Sequence, residues 1–120
     1  NVDQMSIQKI GEELKNTSQL CRELKIDKKE FFGGSMTISS LGGIGGTHFT
    51  PIINPPEVAI LGVGKTFDRL VKDKNQIVSK KILPISLSYD HRLIDGAEGA
   101  RFCVYLGKCL GKDFAFKLAV

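Results

Sequence analysis

Hydrophobic positions change their spacing along the chain, and the change predicts helices near both ends with strands between them. Apolar residues recur at three- and four-residue steps over residues 3–25, which predicts an amphipathic helix. Asp27 is a candidate N-cap for a short second helix that runs through Phe31. The sequence MTISSL at residues 36–41 then predicts a short strand.

The middle of the chain predicts two long antiparallel strands. Four glycines and three prolines mark residues 42–56 as a loop. EVAILGVGK at 57–65 is a nearly continuous apolar run, typical of a strand buried on both faces. DKNQ at 73–76 predicts a turn, after which residues 77–89 return as one long strand. A second helix is predicted from residue 96 to about Lys112, with a packing face formed by Ala100, Cys103, Val104, Gly107 and Leu110.

This order of elements predicts an α/β fold with a mixed or antiparallel sheet and helices on one face. A length of 120 residues suits one domain. Apolar content of 42% and charged content of 25% are ordinary for a soluble globular protein. The net charge of +4 is mild, and no Lys/Arg block is interleaved with aromatic residues, so nucleic-acid binding is not indicated.

The cysteines and glycines favour packing over metal or nucleotide binding. Three cysteines without metal-like spacing predict half-buried, reduced thiols. His48 and His91 lack ligand partners at suitable spacing, so we expect no metal site. GVGKT at 62–66 is not a phosphate-binding loop, because Ala59 stands where that motif needs a glycine. Its glycines predict a close approach of backbone to another group.

The candidate chemistry lies in SYDHRLIDGAEGARF at residues 88–102. His91 stands where an apolar strand stops and a helix begins, and histidine exchanges protons near neutrality. From the residues alone, a packed or solvated histidine competes with a catalytic one. No GxSxG nucleophile motif is present, so a basic His91 would activate a substrate group.

The acidic residues around His91 have structural interpretations as well. Asp95 precedes the predicted helix and Glu98 follows three residues later, as in a capping box. Arg92 could pair with Asp90, with Asp95 or with a carboxylate elsewhere.

At this point the chain resembles a known family. DHRLIDG at 90–96 matches the DHRxxDG signature of the acyltransferase component of 2-oxo acid dehydrogenase complexes. MTISSLGGIGG at 36–46 resembles that family's FTISNLG segment, and FTPIINPPEVAILGVGK at 49–65 resembles the stretch after it. The details are most similar to bacterial dihydrolipoyllysine acetyltransferases of pyruvate dehydrogenase. The resemblance identifies residues 1–120 as the C-terminal half of the catalytic domain. It implies an incomplete two-layer sandwich with a mixed sheet, like chloramphenicol acetyltransferase.

The resemblance implies transfer of an acetyl group between dihydrolipoamide and coenzyme A. Coenzyme A would be a substrate, and the lipoyl group would be carried on a domain outside this chain. The expected partners are two further copies in a homotrimer, a larger core assembly, the lipoyl domain and the other components of the complex. The expected compartment is the bacterial cytoplasm, or the mitochondrial matrix in a eukaryote. The alternatives are a non-catalytic assembly fragment, or an acyltransferase for a succinyl or branched-chain group or for a hydroxyl or amine acceptor.

The resemblance also implies roles for individual residues. His91 matches the family's general base, and Asp95 matches the signature aspartate, with an orienting or structural role. Ser39 matches the hydroxyl donor to the oxyanion, with Ser40 and Thr37 as alternatives. In the family the histidine reaches the serine of a neighbouring subunit. The residues that would bind the phosphates of coenzyme A stay unassigned.

Overall fold

A computed structural model describes residues 2–111 and 114 of the 120-residue chain. The chain divides into two compact units, residues 1–33 with 109–120 and residues 34–108. The helices and strands, in chain order, are a 3₁₀ turn Val2–Gln4, α1 (Ile7–Arg22), a 3₁₀ turn Lys28–Phe31, β1 (Thr37–Ser40), β2 (Ala59–Val63), β3 (Phe67–Asp73), β4 (Gln76–Ile82), β5 (Ile85–Tyr89) and α2 (Gly96–Cys109). Within the described residues, no helix combines the length and the apolar character that crossing a membrane requires.

In the first unit, α1 is shorter than the apolar pattern predicted. The helix begins after Ser6, whose hydroxyl oxygen accepts a hydrogen bond from the N–H of Lys9 at 3.3 Å. An N-cap serine satisfies a donor that the first turn leaves free, and this fixes the start. The helix ends before Leu24, which adopts a left-handed φ of 54°.

The predicted short helix after Asp27 is confirmed as a 3₁₀ turn. The carboxylate of Asp27 accepts the N–H of Lys29 at 3.0 Å, as an N-cap does.

In the second unit, a three-stranded mixed sheet in the order β1-β2-β5 contains the buried core. β1 runs parallel to β2, and β5 runs antiparallel to it. The prediction that β2 is buried on both faces is confirmed, since Ala59, Ile60 and Leu61 keep only 8%, 5% and 7% of their surface exposed. Burying a side chain such as Ile60 or Leu61 stabilises a fold by about 1.5–3 kcal/mol.

The predicted single strand over residues 77–89 is wrong. It breaks at Pro84 into β4 and β5, which belong to different sheets. Proline has no N–H and cannot continue a ladder of hydrogen bonds. The carbonyl oxygen of Pro84 still accepts the N–H of Gly64 at 3.0 Å, so the segments after β2 and before β5 stay adjacent at the break.

β3 and β4 form a separate two-stranded hairpin. The predicted turn at residues 73–76 is confirmed, because Asp73 pairs with Gln76 across it, but it joins β4 to β3, a strand that the sequence did not predict. Lys74 in the turn has a left-handed φ of 55°, a conformation that tight hairpin turns require.

The glycines of GVGKT serve close packing, as predicted. A Cβ atom on Gly62 would lie 2.9 Å from Cζ of Phe49. A Cβ atom on Gly64 would collide with the carbonyl oxygen of Thr47. Both positions therefore exclude a side chain because another group occupies its space.

α2 begins at Gly96 as predicted, and the predicted end near Lys112 lies outside the described residues. The predicted packing face is partly wrong. The most shielded positions are Gly99, Cys103, Leu106 and Cys109, whereas Val104 is 59% exposed. The face is offset because the ring of Tyr89 in β5 packs directly on Gly99. All three cysteines are half-buried free thiols, as expected.

Candidate active site

The segment that carries His91 is a turn between β5 and α2. The N–H of Asp90 donates to the carbonyl oxygen of Val58 at 2.8 Å and extends the ladder one residue past Tyr89. The carbonyl oxygen of Asp90 then accepts the N–H of Leu93 at 3.0 Å and closes the turn. His91 follows at once and is exposed to solvent, so a substrate can reach its ring.

The imidazole of His91 lies beside an aromatic ring and a glycine. The ring centroids of Tyr89 and His91 are 5.7 Å apart and their planes are tilted by 37°. Nε2 of His91 lies 3.9 Å from the position that a Cβ atom on Gly96 would take. Among the side-chain hydrogen bonds of residues 2–111, none involves the imidazole, so neither ring nitrogen is committed to a protein partner there.

Arg92 pairs with Asp90, which decides between the partners that the sequence allowed. The guanidinium donates to both carboxylate oxygens, from Nη2 to Oδ2 at 2.6 Å and from Nε to Oδ1 at 2.9 Å. The N–H of Arg92 also donates to Oδ1 at 3.0 Å. The side-chain hydrogen bonds from Arg92, and to a smaller extent the bond from its N–H, lower the pKa of Asp90 from 3.8 to about 2. The side-chain bonds also raise the pKa of Arg92.

Asp95 caps α2. Its Oδ1 accepts the N–H of Glu98 at 2.7 Å, and its carbonyl oxygen accepts the N–H of Gly99 at 3.1 Å. The capping interpretation is therefore confirmed for this half of the capping box. No hydrogen bond joins Asp95 to His91 in the described part of the chain, so the observed role of Asp95 is the cap.

The three candidate oxyanion donors differ in what they already bond. The hydroxyl of Thr37 donates to Oε2 of Glu57 at 2.5 Å. The hydroxyl oxygen of Ser40 accepts the N–H of Gly42 at 3.4 Å. Ser39 is half-buried, and its hydroxyl has no protein partner among residues 2–111. Thr37 commits its donor to Glu57, whereas Ser39 and Ser40 keep theirs, and of these two only Ser39 lies on the shielded face of β1.

Sheet register separates Ser39 from His91 within one chain. Tyr89 pairs with Ala59, and Ser39 pairs with Gly62, three residues further along β2. At about 3.3 Å per residue and about 4.8 Å per strand, Ser39 is roughly 10 Å along and two strands across from Tyr89. That separation is beyond hydrogen-bond reach, and His91 extends past Tyr89 in the opposite direction.

The structure also locates His48 and the groups that could bind a metal ion. Within residues 2–111, no cluster of three or more His, Cys, Asp or Glu side chains could hold a metal ion. His48 lies exposed in the loop. Tyr89 was not predicted as a site residue, because its position in a strand indicates only that it shares a face with Leu87.

Known proteins match this chain over most of its length. A family model described as 2-oxoacid dehydrogenases acyltransferase (catalytic domain) matches residues 1–115. The dihydrolipoyllysine-residue acetyltransferase component of the pyruvate dehydrogenase complex from Cupriavidus necator is 48% identical over 114 residues, which cover 95% of this chain and 20% of that protein. The same component from Haemophilus influenzae is 52% identical over 110 residues, which cover 92% of this chain and 19% of that protein. The chain therefore spans about a fifth of the length of these relatives.

Two solved structures match the fold closely. One was solved to investigate a serine, a histidine and an asparagine in the catalytic mechanism of Azotobacter vinelandii dihydrolipoamide acetyltransferase; it has a TM-score of 0.90 and 48% identity. The other, the cubic core of the pyruvate dehydrogenase multienzyme complex, has a TM-score of 0.90 and 47% identity. Each match covers 96% of this chain and 47% of the solved chain. The α/β arrangement with a mixed sheet is thus part of an acyltransferase core, and the chain belongs to the family of 2-oxoacid dehydrogenase acyltransferases, in their catalytic domain.

Proposed function

We propose that this chain, residues 1–120, is the C-terminal half of a catalytic domain that transfers an acetyl group between dihydrolipoamide and coenzyme A. The observation that carries the proposal is a spacing. In the Azotobacter vinelandii enzyme the investigated serine lies 52 positions before the histidine, and the asparagine lies four positions after it. Ser39 lies 52 positions before His91 in this chain, and Asp95 lies four after it.

The aspartate in place of the asparagine is compatible with the proposal. Aspartate and asparagine are about equally good N-caps, because each offers a side-chain oxygen to a backbone N–H. Asp95 already accepts the N–H of Glu98 in this way. The position can therefore fix the start of α2, and with it the turn of His91, with either side chain.

The chemistry starts from two thiol substrates with a reference pKa of about 8.5. His91 takes the proton of the attacking thiol, and the sulfur attacks the carbonyl carbon of the acetyl thioester. The resulting oxyanion accepts a hydrogen bond from the hydroxyl of Ser39. The intermediate then releases the other sulfur as a thiolate, and His91 returns the proton to it. A positioned base contributes typically 10²–10⁴-fold to such a step.

The separation of Ser39 from His91 makes the proposed site intersubunit. If one chain cannot bring both side chains together, the serine must come from a neighbouring copy. A homotrimer that assembles into a larger core would supply it, and the likeness to the cubic core of the pyruvate dehydrogenase complex supports this arrangement. The lipoyl domain and the other components of that complex are the proposed partners. The curated relatives are bacterial, which favours the cytoplasm.

The test compares the two histidines of the chain. The rate of acetyl transfer from acetyl-CoA to dihydrolipoamide is measured for the wild type, His91→Ala and His48→Ala. We expect His91→Ala to lose 10²–10⁴-fold and His48→Ala to keep its rate. Equal rates for His91→Ala and the wild type would remove His91 as the base.

The same assay separates the enzyme from its alternatives. A non-catalytic assembly fragment would form large particles by light scattering and show no turnover. Succinyl-CoA and branched-chain acyl-CoA are offered in competition with acetyl-CoA. A preference for either would show that the transferred group is not acetyl.

A further inference from the structure

We propose that Tyr89 is a positioning residue for the imidazole of His91, seated in a notch that Gly99 leaves on α2. The effect on catalysis rests on the proposed function, whereas the packing arrangement does not.

The charged neighbours of His91 are committed to other partners. Arg92 bonds both carboxylate oxygens of Asp90. Asp95 gives its Oδ1 to the N–H of Glu98. In the described chain the imidazole itself takes part in no hydrogen bond, so its orientation must come from packing.

The packing partner is the ring of Tyr89, 5.7 Å from the imidazole between centroids. The ring of Tyr89 occupies the space that a side chain at Gly99 would need. A Cβ atom there would lie 2.8 Å from Cε1 and 3.1 Å from Cζ of Tyr89, closer than carbon atoms normally approach. Gly99 is buried, so the ring and the helix backbone exclude solvent between them.

The tips of both rings converge on Gly96. A Cβ atom on Gly96 would lie 3.8 Å from the hydroxyl of Tyr89 and 3.9 Å from Nε2 of His91. The two residues of α2 are one helical turn apart, so the ring of Tyr89 sits in the notch at Gly99 and reaches ordinary contact distance at Gly96. Tyr89 fills the notch and presents its ring to His91, which limits the rotation of an otherwise exposed imidazole.

Orientation matters because general-base catalysis depends on a close geometry. Misplacing a reacting group by about 1 Å can cost 10²-fold in rate. The aromatic ring supplies this contact, and the hydroxyl is not needed for it. The conservative variant Tyr89→Phe should therefore keep the function that Tyr89→Leu loses.

The kinetic test uses three tyrosine variants. We expect Tyr89→Leu to lower kcat for acetyl transfer by roughly 10- to 100-fold with an unchanged KM for coenzyme A, and Tyr89→Phe to retain the wild-type rate. Tyr105→Leu is the control, because Tyr105 is 69% exposed on α2 and takes no part in the notch. A kcat that does not change in Tyr89→Leu would overturn the proposal.

A second readout does not need activity. In protein labelled at histidine, NMR gives one ring signal for His91 and one for His48, which serves as the reference. Loss of the ring current should move the His91 signal in Tyr89→Leu and leave it in Tyr89→Phe. Gly99→Ala should move it as well, because the new methyl group displaces the ring of Tyr89, whereas Gly107→Ala, with open space around it on the same helix, should not.

The two readouts distinguish the possible failures. A wild type without acetyl transfer, but with a His91 signal that follows these variants, would refute the proposed function and keep the positioning role. A His91 signal that ignores both Tyr89→Leu and Gly99→Ala would refute the positioning role, whatever the rate.

Discussion

Arg92 and Asp90 form a two-point ion pair around the residue between them, His91. Nη2 lies 2.6 Å from Oδ2 and Nε lies 2.9 Å from Oδ1. The Arg92 side chain is 87% exposed and the Asp90 side chain is 21% exposed, so the pair lies at the surface. Together with the bond from the N–H of Arg92 to Oδ1, it fixes the backbone on both sides of the proposed base.

This pair predicts a loss of stability in acid. The pKa of Asp90 in the folded chain is about 2, below its ordinary value of 3.8. Stability gained from the ionised carboxylate is therefore complete above about pH 4 and is lost as the pH falls toward 2. We expect the difference in unfolding free energy between the wild type and Asp90→Asn to shrink over this range, as measured by urea denaturation.

The matched variant for this experiment is Arg92→Gln, which removes the same pair from the other side. It should show the same pH dependence relative to the wild type. A stability difference that stays constant between pH 5 and pH 2 would show that the pair contributes nothing through ionisation.

The hydroxyl of Ser39 predicts a loss of rate on substitution that Ser40 and Thr37 should not show. Ser39→Ala should lower kcat by roughly 10²–10³-fold if this hydroxyl is the oxyanion donor. Ser40→Ala should stay near the wild-type rate, because Ser40 lies on the opposite face of β1 from Ser39. Thr37→Val should lower stability, because it loses the hydrogen bond to Glu57, and should leave kcat unchanged. A large loss in Ser40→Ala or Thr37→Val, with little in Ser39→Ala, would reassign the donor.

Local signals predicted most of the elements of this chain. The apolar run around Ile60 marked the buried strand, and Asp27 and Asp95 marked helix starts by their capping chemistry. Pro84 was readable as a break, but the apolar residues on both sides of it continued the strand pattern. The α2 face was misplaced because a glycine carries no hydropathy signal, although Gly99 is the position that the ring of Tyr89 covers.

The candidate site was predictable only in part, for a similar reason. A histidine between strand and helix can be found from spacing, and so can a capping aspartate. The distance from Ser39 to His91 depends on the register of three strands, which residue patterns do not specify. The contact of Tyr89 with His91 depends on a notch made by missing side chains, which only the folded backbone defines.

Close packing at Gly64 predicts opposite effects for two glycine substitutions. Gly64→Ala would place a methyl group against the carbonyl oxygen of Thr47 and near Cγ of Pro84, so we expect a loss of about 1–3 kcal/mol. Gly11→Ala lies inside α1 with open space around it, so it should gain about 0.5–1 kcal/mol from helix propensity. Thermal or urea unfolding of both variants and the wild type measures the contrast. A Gly64→Ala variant as stable as the wild type would show that the backbone around Pro84 has room to relax.

The cap on α2 allows the structural role of Asp95 to be separated from a chemical one. Asp95→Ala removes the acceptor of the Glu98 N–H and should cost about 0.5–2 kcal/mol of unfolding free energy. Asp95→Asn keeps an acceptor oxygen in the same place and should keep both stability and kcat, because the cap rather than the charge positions the turn of His91. Urea unfolding and acetyl transfer are measured on the same preparations. If Asp95→Asn keeps its stability but loses more than tenfold in kcat, the carboxylate acts on the imidazole through its charge, and the capping explanation is insufficient.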